Sequence, residues 1–277
     1  MVDLNLAYKQ CEEVIRHHSK TFYKAFSLLP SKKRKAVWAV YAFCRIADDI
    51  VDEGKKPKEE LVEFQEEFEN FLKGHFSHEN FMWVALHDTF KQYEMDIQAF
   101  QDMIKGQGMD LVKIRYHSMD EVLDYSYHVA STVGLMLLPI LAPKKKAVLR
   151  EGAIALGLGM QLTNILRDIG EDLGRDRIYV PNDIMQKHHL TERDLQKQTV
   201  TPEFIRVWEH LAAEAEKQYD TAMLTMNEYP IHARAPVKAA GYFYRAILNK
   251  IRLNDYNVFG ERNFVSNEEK HAILSQI

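Results

Sequence analysis

Two stretches of this chain carry the same unusual pattern, a polar stripe at helical spacing through an otherwise apolar segment. In KAVWAVYAFCRIADDIVDE, Tyr41, Arg45, Asp48 and Asp52 follow one another at steps of four, three and four, which brings all four onto one helix face. In GLGMQLTNILRDIGED, Gly157, Gln161, Asn164, Asp168 and Asp172 repeat it at steps of four, three, four and four. Such a stripe faces either water or an internal cavity. Carboxylates at i and i+4 repel by roughly 0.2–0.5 kcal/mol within a helix, and burial raises that cost sharply. A bound cation would relieve it.

The rest of the chain agrees with helices. Apolar residues recur at helical spacing through nearly every segment, and hairpin turns and long alternating runs are absent, so the predicted class is all-α. Breakers at Pro30, Gly54 to Pro57, Gly74, Gly106 with Gly108, Pro139 with Pro143, Gly174 to Pro181, Pro202, and Pro230 with Pro236 divide it into about eight to ten helices. The proline-free run Lys144 to Glu171 reads as a long central helix. No linker, low-complexity tract or repeat interrupts the sequence, so residues 1–277 are expected to form a single domain.

Charge excludes some partners. Thirty-six Lys and Arg against forty Asp and Glu leave −4, so no global positive field is available for nucleic acid or an anionic membrane. Any anion must be met locally. Cys11 and Cys44 match no metal-ligand spacing and read as buried thiols of a cytoplasmic protein. The N-terminus lacks the apolar run of a signal peptide. Leu135 to Leu141, the most apolar stretch, contains Pro139 and falls short of the ~20 residues that span a bilayer. Membrane contact is therefore expected to be peripheral at most, at product release. The basic runs Lys32 to Lys35 and Lys144 to Lys146 read as solvated helix ends.

Magnesium suits the two acidic faces, because it prefers oxygen ligands, keeps several waters and is commonly held by one or two carboxylates plus substrate phosphates. Asp48, Asp52, Asn164, Asp168 and Asp172 would supply such an incomplete shell. Arg45, Arg167 and Lys20 can neutralise a diphosphate. Either DxxxD alone is commonly a solvated helix face; two of them, each beside an arginine and continued by amides, describe a diphosphate clamp. Ser19 reads as a helix N-cap, and the N–H groups from Ser19 to Phe22 can also hold a diphosphate.

With DDIVD at Asp48 to Asp52 and DIGED at Asp168 to Asp172, the chain resembles the squalene and phytoene synthase family. HHSKTF at His17 to Phe22, RKAVWAVYAFCR at Arg34 to Arg45, YSYHVASTVG at Tyr125 to Gly134 and QLTNILRD at Gln161 to Asp168 extend the likeness over most of the chain. The wording is most similar to the bacterial dehydrosqualene synthase branch. The resemblance implies an isoprenoid synthase bundle around an apolar cavity. It implies more than one Mg²⁺ on Asp48, Asp52, Asn164, Asp168 and Asp172, with Tyr41, Arg45 and Tyr125 in catalysis beside the acids. His18, Ser19, Lys20, Thr21, Phe22, Tyr41, Arg45, Gln161, Asn164, Arg167, Tyr244 and Arg262 would then meet isoprenyl diphosphate substrates. Ser126, Ser131 and a longer loop at Asn257 to Gly260 depart from the family pattern.

The implied reaction joins two farnesyl diphosphates head to head, through presqualene diphosphate, to dehydrosqualene. GLGMQL and GQGMDL lack the third glycine of a dinucleotide fingerprint and follow no strand, which favours a product formed without NADPH. Squalene synthesis with NADPH and phytoene synthesis from the C20 diphosphate are the alternatives, ahead of a class I terpene cyclase or a non-catalytic helical scaffold. Cavity walls are expected from Phe22, Phe26, Tyr41, Tyr125, Val129, Val133 and Leu137, with Gly134, Ala153 and Gly157 leaving room for a prenyl tail.

Overall fold

The computed structural model describes residues 2–275. The N-terminal helices are α1 (Leu4–His18), α2 (Lys20–Phe26), α3 (Ser31–Glu53), α4 (Pro57–Leu72), α5 (Phe81–Gln92) and α6 (Ile97–Met109). Next come α7 (Met119–Ser126), a π-helical turn at Tyr127–Ser131, α8 (Thr132–Leu141), α9 (Lys146–Arg167) and α10 (Ile169–Gly174). The chain closes with α11 (Asn182–Lys187), α12 (Glu192–Gln196), α13 (Pro202–Leu224), α14 (Ile231–Leu253) and α15 (Asn267–Leu274). The class is all-α, as expected. Among the described residues the only extended pairing is an isolated bridge between Arg115 and Ile178.

Local chemistry sets many of the starts. The Asp3 carboxylate accepts from the N–H groups of Asn5 and Leu6, Asn80 from Met82 and Trp83, and reciprocal capping boxes open α12 and α15. The helices outnumber the expected eight to ten, because short pieces fill the stretch after Gly174.

The breaks expected at Pro139 with Pro143 and at Pro230 with Pro236 fall at Pro143 and Pro230, and the one at Gly106 with Gly108 falls just past Gly108, so four of the breaker residues lie within helices. Gly106 and Gly108 lie inside α6, Pro139 inside α8 and Pro236 inside α14. Conversely, the central helix is shorter than Lys144 to Glu171. Pro143–Lys145 forms a separate turn, and at Asp168 the backbone leaves helical geometry with φ −103° and ψ 14°.

Two apolar clusters form the interior. Phe43, Phe64, Phe68, Trp83 and Phe100 anchor the first, Phe204, Trp208, Tyr219 and Phe243 the second. Helix α9 serves both, giving Leu149 and Ala153 to one and Leu162, Ile165 and Leu166 to the other. The π turn lies between two glycines. A Cβ on Gly106 would come 2.8 Å from the His128 Cβ, and one on Gly157 would come 2.4 Å from the Ser131 Cα. Gly106 thus continues α6 because a neighbouring backbone needs its bare surface.

Cys11 is buried and Cys44 half-buried, both as free thiols, and burial pushes each up to about 12. No single helix among the described residues is long and apolar enough to cross a membrane. The bent pair Met119–Leu141 and Pro143–Arg167 qualifies together but turns through 116°, and Leu135 to Ala142 is buried in the first cluster.

Candidate active site

Helices α3 and α9 each run from apolar wall to acid. Along α3, Val37, Val40, Tyr41 and Cys44 line an internal cavity, and Arg45, Asp48 and Asp52 then line an open cleft at its end. At ~1.5 Å per residue, Val37 and Asp48 lie ~16 Å apart along the helix. Helix α9 repeats the order, with Ala153, Leu156, Gly157 and Met160 on the cavity, Gln161 and Asn164 on both spaces, and Arg167 with Asp168 on the cleft. The cavity has a volume of about 190 Å³. Phe22, Phe26, Tyr41, Val129, Val133, Gly134, Leu137, Ala153 and Gly157 all border it, as expected. Tyr125 does not; it lines the cleft.

An aromatic throat separates the two spaces. Phe22, Tyr41 and Tyr244 border both, with the Phe22 ring 6.4 Å from Tyr41 and 5.5 Å from Tyr244. Gln161 Oε1 accepts from Asn164 Nδ2 at 3.3 Å. The Asn164 Oδ1 is buried without a hydrogen-bond partner among the described residues, an acceptor aimed at something other than protein.

In the cleft, most acids are held by guanidinium groups. Arg45 donates to Asp48 at 2.7 Å and also pairs with Asp49. Arg175 and Arg177 both hold Asp52 at 3.0 Å. Asp168 is gripped by Arg167 and, from ninety-four residues away, by Arg262 at 3.1 and 3.0 Å. Asp172 has no such partner among the described residues. Burial pushes its carboxyl up to about 7, with Asp168 and Glu171 adding to the rise. Burial also pushes Asp48 up to about 6, against the pull of Arg45. These acids are short of positive charge.

The break at Asp168 changes the predicted geometry. Asp172 belongs to α10 and is not a continuation of the α9 stripe, yet it faces the same cleft as Asp48, Asp52 and Asp168. No cluster of three or more His, Cys, Asp or Glu side chains converges into a preformed metal cage among the described residues. The unpaired Asn164 Oδ1, the uncompensated Asp172 and the raised Asp48 fit a divalent ion whose remaining ligands come from water and phosphate.

Of the N-terminal block, His18, Ser19 and Phe22 line the cleft. Lys20 and Thr21 do not; they face an adjacent cleft shared with Arg167, Tyr244 and Arg262. Ser19 is the cap of α2, its Oγ accepting from the Phe22 N–H at 3.3 Å. The predicted pattern missed Asp110, Arg175, Arg177 and Tyr179, which also line the cleft. Asp110 accepts from Tyr125 and Tyr179, each at 2.8 Å, and burial raises its carboxyl above the usual range. The arginines come three and five residues after DIGED in sequence, a signal within reach. Asp110 had none.

An all-helical protein with an acid-and-arginine mouth over an apolar cavity has known relatives. The squalene/phytoene synthase pattern matches residues 15–269, and the chain belongs to that family of prenyltransferase-type enzymes. It is 39% identical over 278 residues to phytoene synthase 2, chloroplastic, of Solanum lycopersicum, covering 98% of this chain and 89% of that protein. The crystal structure of a dehydrosqualene synthase in complex with ligand superposes with a TM-score of 0.93 at 34% identity, covering 99% of this chain and 95% of that one. A squalene synthase from Alicyclobacillus acidocaldarius gives 0.85 at 25% identity, covering 92% and 96%.

Proposed function

We propose that the protein condenses two farnesyl diphosphates head to head to dehydrosqualene, in a single catalytic unit of residues 1–277 acting in the cytoplasm. The observation that carries this reading is the joining of the acidic cleft to the apolar cavity through Phe22, Tyr41 and Tyr244. A prenyl chain fits the second space while its diphosphate stays in the first.

Asp48, Asp52, Asn164, Asp168 and Asp172 would hold Mg²⁺, more than one ion, which supplies charge stabilisation for a departing diphosphate. Arg45 and Arg167 turn from their carboxylates to phosphate oxygens once a diphosphate enters, with His18, Ser19 and Arg262 completing its surroundings. The leaving diphosphate takes the bonding electron pair, and the allylic cation is attacked by the double bond of the second substrate. Loss of one proton closes the cyclopropane of presqualene diphosphate. Phe22, Tyr41 and Tyr244 shelter cationic carbon with their ring faces, while Gln161 and Asn164 orient the diphosphate end. Tyr125 lines the cleft and donates its hydroxyl to Asp110, a pair that can take up the departing proton. A second ionisation, rearrangement and proton loss give the hydrocarbon and the second diphosphate without NADPH.

Phytoene synthesis from the C20 diphosphate is the second reading, favoured by the 39% identity to a plant phytoene synthase. Incubation with Mg²⁺ and radiolabelled C15 or C20 diphosphate, with and without NADPH, followed by mass analysis of the hydrocarbon, separates them. Cyclised products from one substrate, or no hydrocarbon, would sink both.

A further inference from the structure

Helices α3 and α9 bring their acids to the mouth at their C-terminal ends, and both begin in a basic run that the site does not use. Lys32 to Lys35 open α3, and Lys144 to Lys146 carry the chain into α9. At ~1.5 Å per residue Lys32 lies ~24 Å from Asp48 along α3, at the other end of the bundle. Tertiary contacts join the two runs there. Lys33 Nζ donates to the Leu141 carbonyl at 3.0 Å, Lys145 pairs with Glu228 at 2.8 Å, and Arg234 donates to the Tyr229 carbonyl at 3.1 Å. Thr225 is packed on Gly152, where a Cβ would come 2.0 Å from its Oγ1, so α13 ends beside the first turns of α9. Leu141 and Tyr229 line the apolar cavity. The cations therefore stand just outside its far end.

This face is one-sided in charge. Segments 27–35, 142–145 and 226–234 hold seven Lys and Arg and one acid, Glu228, in a chain of net charge −4. Among the described residues Lys145 alone of the seven is paired with a carboxylate, whereas Arg45, Arg167, Arg175, Arg177 and Arg262 of the mouth all are. Exposed aliphatic side chains stand among the cations. Leu28, just before α3, is 54% exposed, Leu224 at the end of α13 83%, and Ile231 at the start of α14 84%. Cations interleaved with exposed aliphatic groups match a surface that is anionic outside and apolar beneath. A hydrocarbon product carries no polar group and needs such an apolar phase, which would here meet the apolar end of the cavity.

Resting on the functional reading above for that product, we propose that this face docks the protein on an anionic lipid bilayer, with Lys32, Lys144 and Lys145 on the headgroups and Leu28, Leu224 and Ile231 entering between them.

Flotation of the full chain with lipid vesicles tests it and needs no substrate. Wild-type protein should bind vesicles of equimolar phosphatidylglycerol and phosphatidylcholine, bind phosphatidylcholine alone at least about tenfold more weakly, and be released by added salt. Lys32→Glu with Lys144→Glu should weaken binding by at least about tenfold, since each cation near an anionic surface is worth about fivefold. Leu28→Ser with Ile231→Ser should also weaken it while leaving the salt dependence in place. Lys58→Glu with Lys187→Glu makes the same change in net charge on other elements and should bind as wild type does. All six positions are exposed, and melting temperatures check that each variant is folded. No binding by wild type, or an equal loss in the Lys58 and Lys187 variant, overturns the proposal. Binding to polyglutamate without binding to vesicles overturns it in favour of an acidic protein partner. Turnover is scored separately: wild-type protein that docks through Lys32 and Lys144 yet condenses no isoprenyl diphosphate would end the functional reading and leave the docking face standing, and hydrocarbon synthesis without vesicle binding would do the reverse.

Discussion

Gly157 lies directly against the backbone of Ser131, where a Cβ would come 2.4 Å from the Ser131 Cα and 2.6 Å from its nitrogen. The Ser131 Oγ donates to the Ile154 carbonyl at 2.8 Å, drawing the π turn onto α9 one helical turn before the glycine. Gly157 borders the cavity as expected, but its missing side chain makes room for backbone and not for substrate.

A larger residue there should therefore damage the fold and not merely the pocket. Gly157→Leu and Gly157→Ala should both lower the melting temperature of the ligand-free protein. Overpacking costs ~1–3 kcal/mol, and each kcal/mol is worth ~2–4 °C at this chain length. Unchanged melting of Gly157→Leu with lost farnesyl diphosphate affinity would restore the tunnel reading of this position.

The crowded acids make metal-free stability depend on pH. Asp48 is raised to about 6 and Asp172 to about 7, so the folded state holds protons that the unfolded chain gives up nearer pH 4. Their contribution is full below the unfolded value and is lost as pH rises through 6 to 7. Thermal melts in EDTA should show wild type losing stability over that window, and Asp172→Asn losing less. Added Mg²⁺ at pH 8 should stabilise wild type more than Asp172→Asn, while Asp48→Ala and Asp168→Ala should abolish turnover with the fold retained. A pH-independent EDTA melt would show that these acids are not short of cation.

Arginines that now hold carboxylates are the ones expected to take phosphate. Arg45→Ala and Arg167→Ala should weaken substrate use by about tenfold or more each, the scale of a charge-assisted pair, with lysine at either position restoring only part because it lacks the planar fork. Steady-state kinetics decide. Unchanged kcat/KM in both alanine variants would leave these arginines as counter-ions to Asp48, Asp49 and Asp168 alone.

Chain length should be set away from the mouth. Tyr229 lines the cavity but not the cleft, and the hydroxyl of this buried residue has no hydrogen-bond partner among the described residues. Tyr229→Ala should raise the use of C20 relative to C15 diphosphate by about tenfold, since even one methylene in an apolar pocket is worth ~10-fold or more. Competition between the two labelled substrates reads that ratio. A ratio that stays put would move the length limit to another wall.

Much of this site was legible because helical period carries it. On α3 and α9 the same stripe that holds Arg45, Asp48, Gln161 and Asn164 continues backward into Tyr41, Val37, Gly157 and Ala153, so one pattern contains both mouth and wall. What period could not carry came from tertiary contact. The break at Asp168 coincides with a grip by Arg262, and α6 runs through Gly106 because His128 leans on it. Tyr179 comes from an irregular segment whose sequence shows no stripe toward the site.

Asp110 gives the strongest test of the chemistry, because it joins two tyrosines that the sequence pattern never linked. Its oxygens accept from Tyr125 and Tyr179 at 2.8 Å each, the two rings stack 5.1 Å apart, and Asp110 lies in the cleft beside Arg177, which holds Asp52. Burial raises the carboxyl, while both hydroxyl groups and Arg177 favour its charged form. A carboxylate so placed can fix the Tyr125 hydroxyl and draw a proton through it. Asp110→Asn should then lower kcat by about 10²-fold or more, the ordinary scale of a positioned proton acceptor, with little change in KM. Tyr125→Phe should resemble it, and Tyr179→Phe should cost less, since Tyr125 still bonds Asp110. The pH profile separates chemistry from packing. Wild-type activity should fall on the acid side as Asp110 takes up a proton, and that limb should vanish in Asp110→Asn. If Asp110→Asn keeps the acid limb and loses only melting temperature, the cluster is a structural bracket and the departing proton leaves by another route.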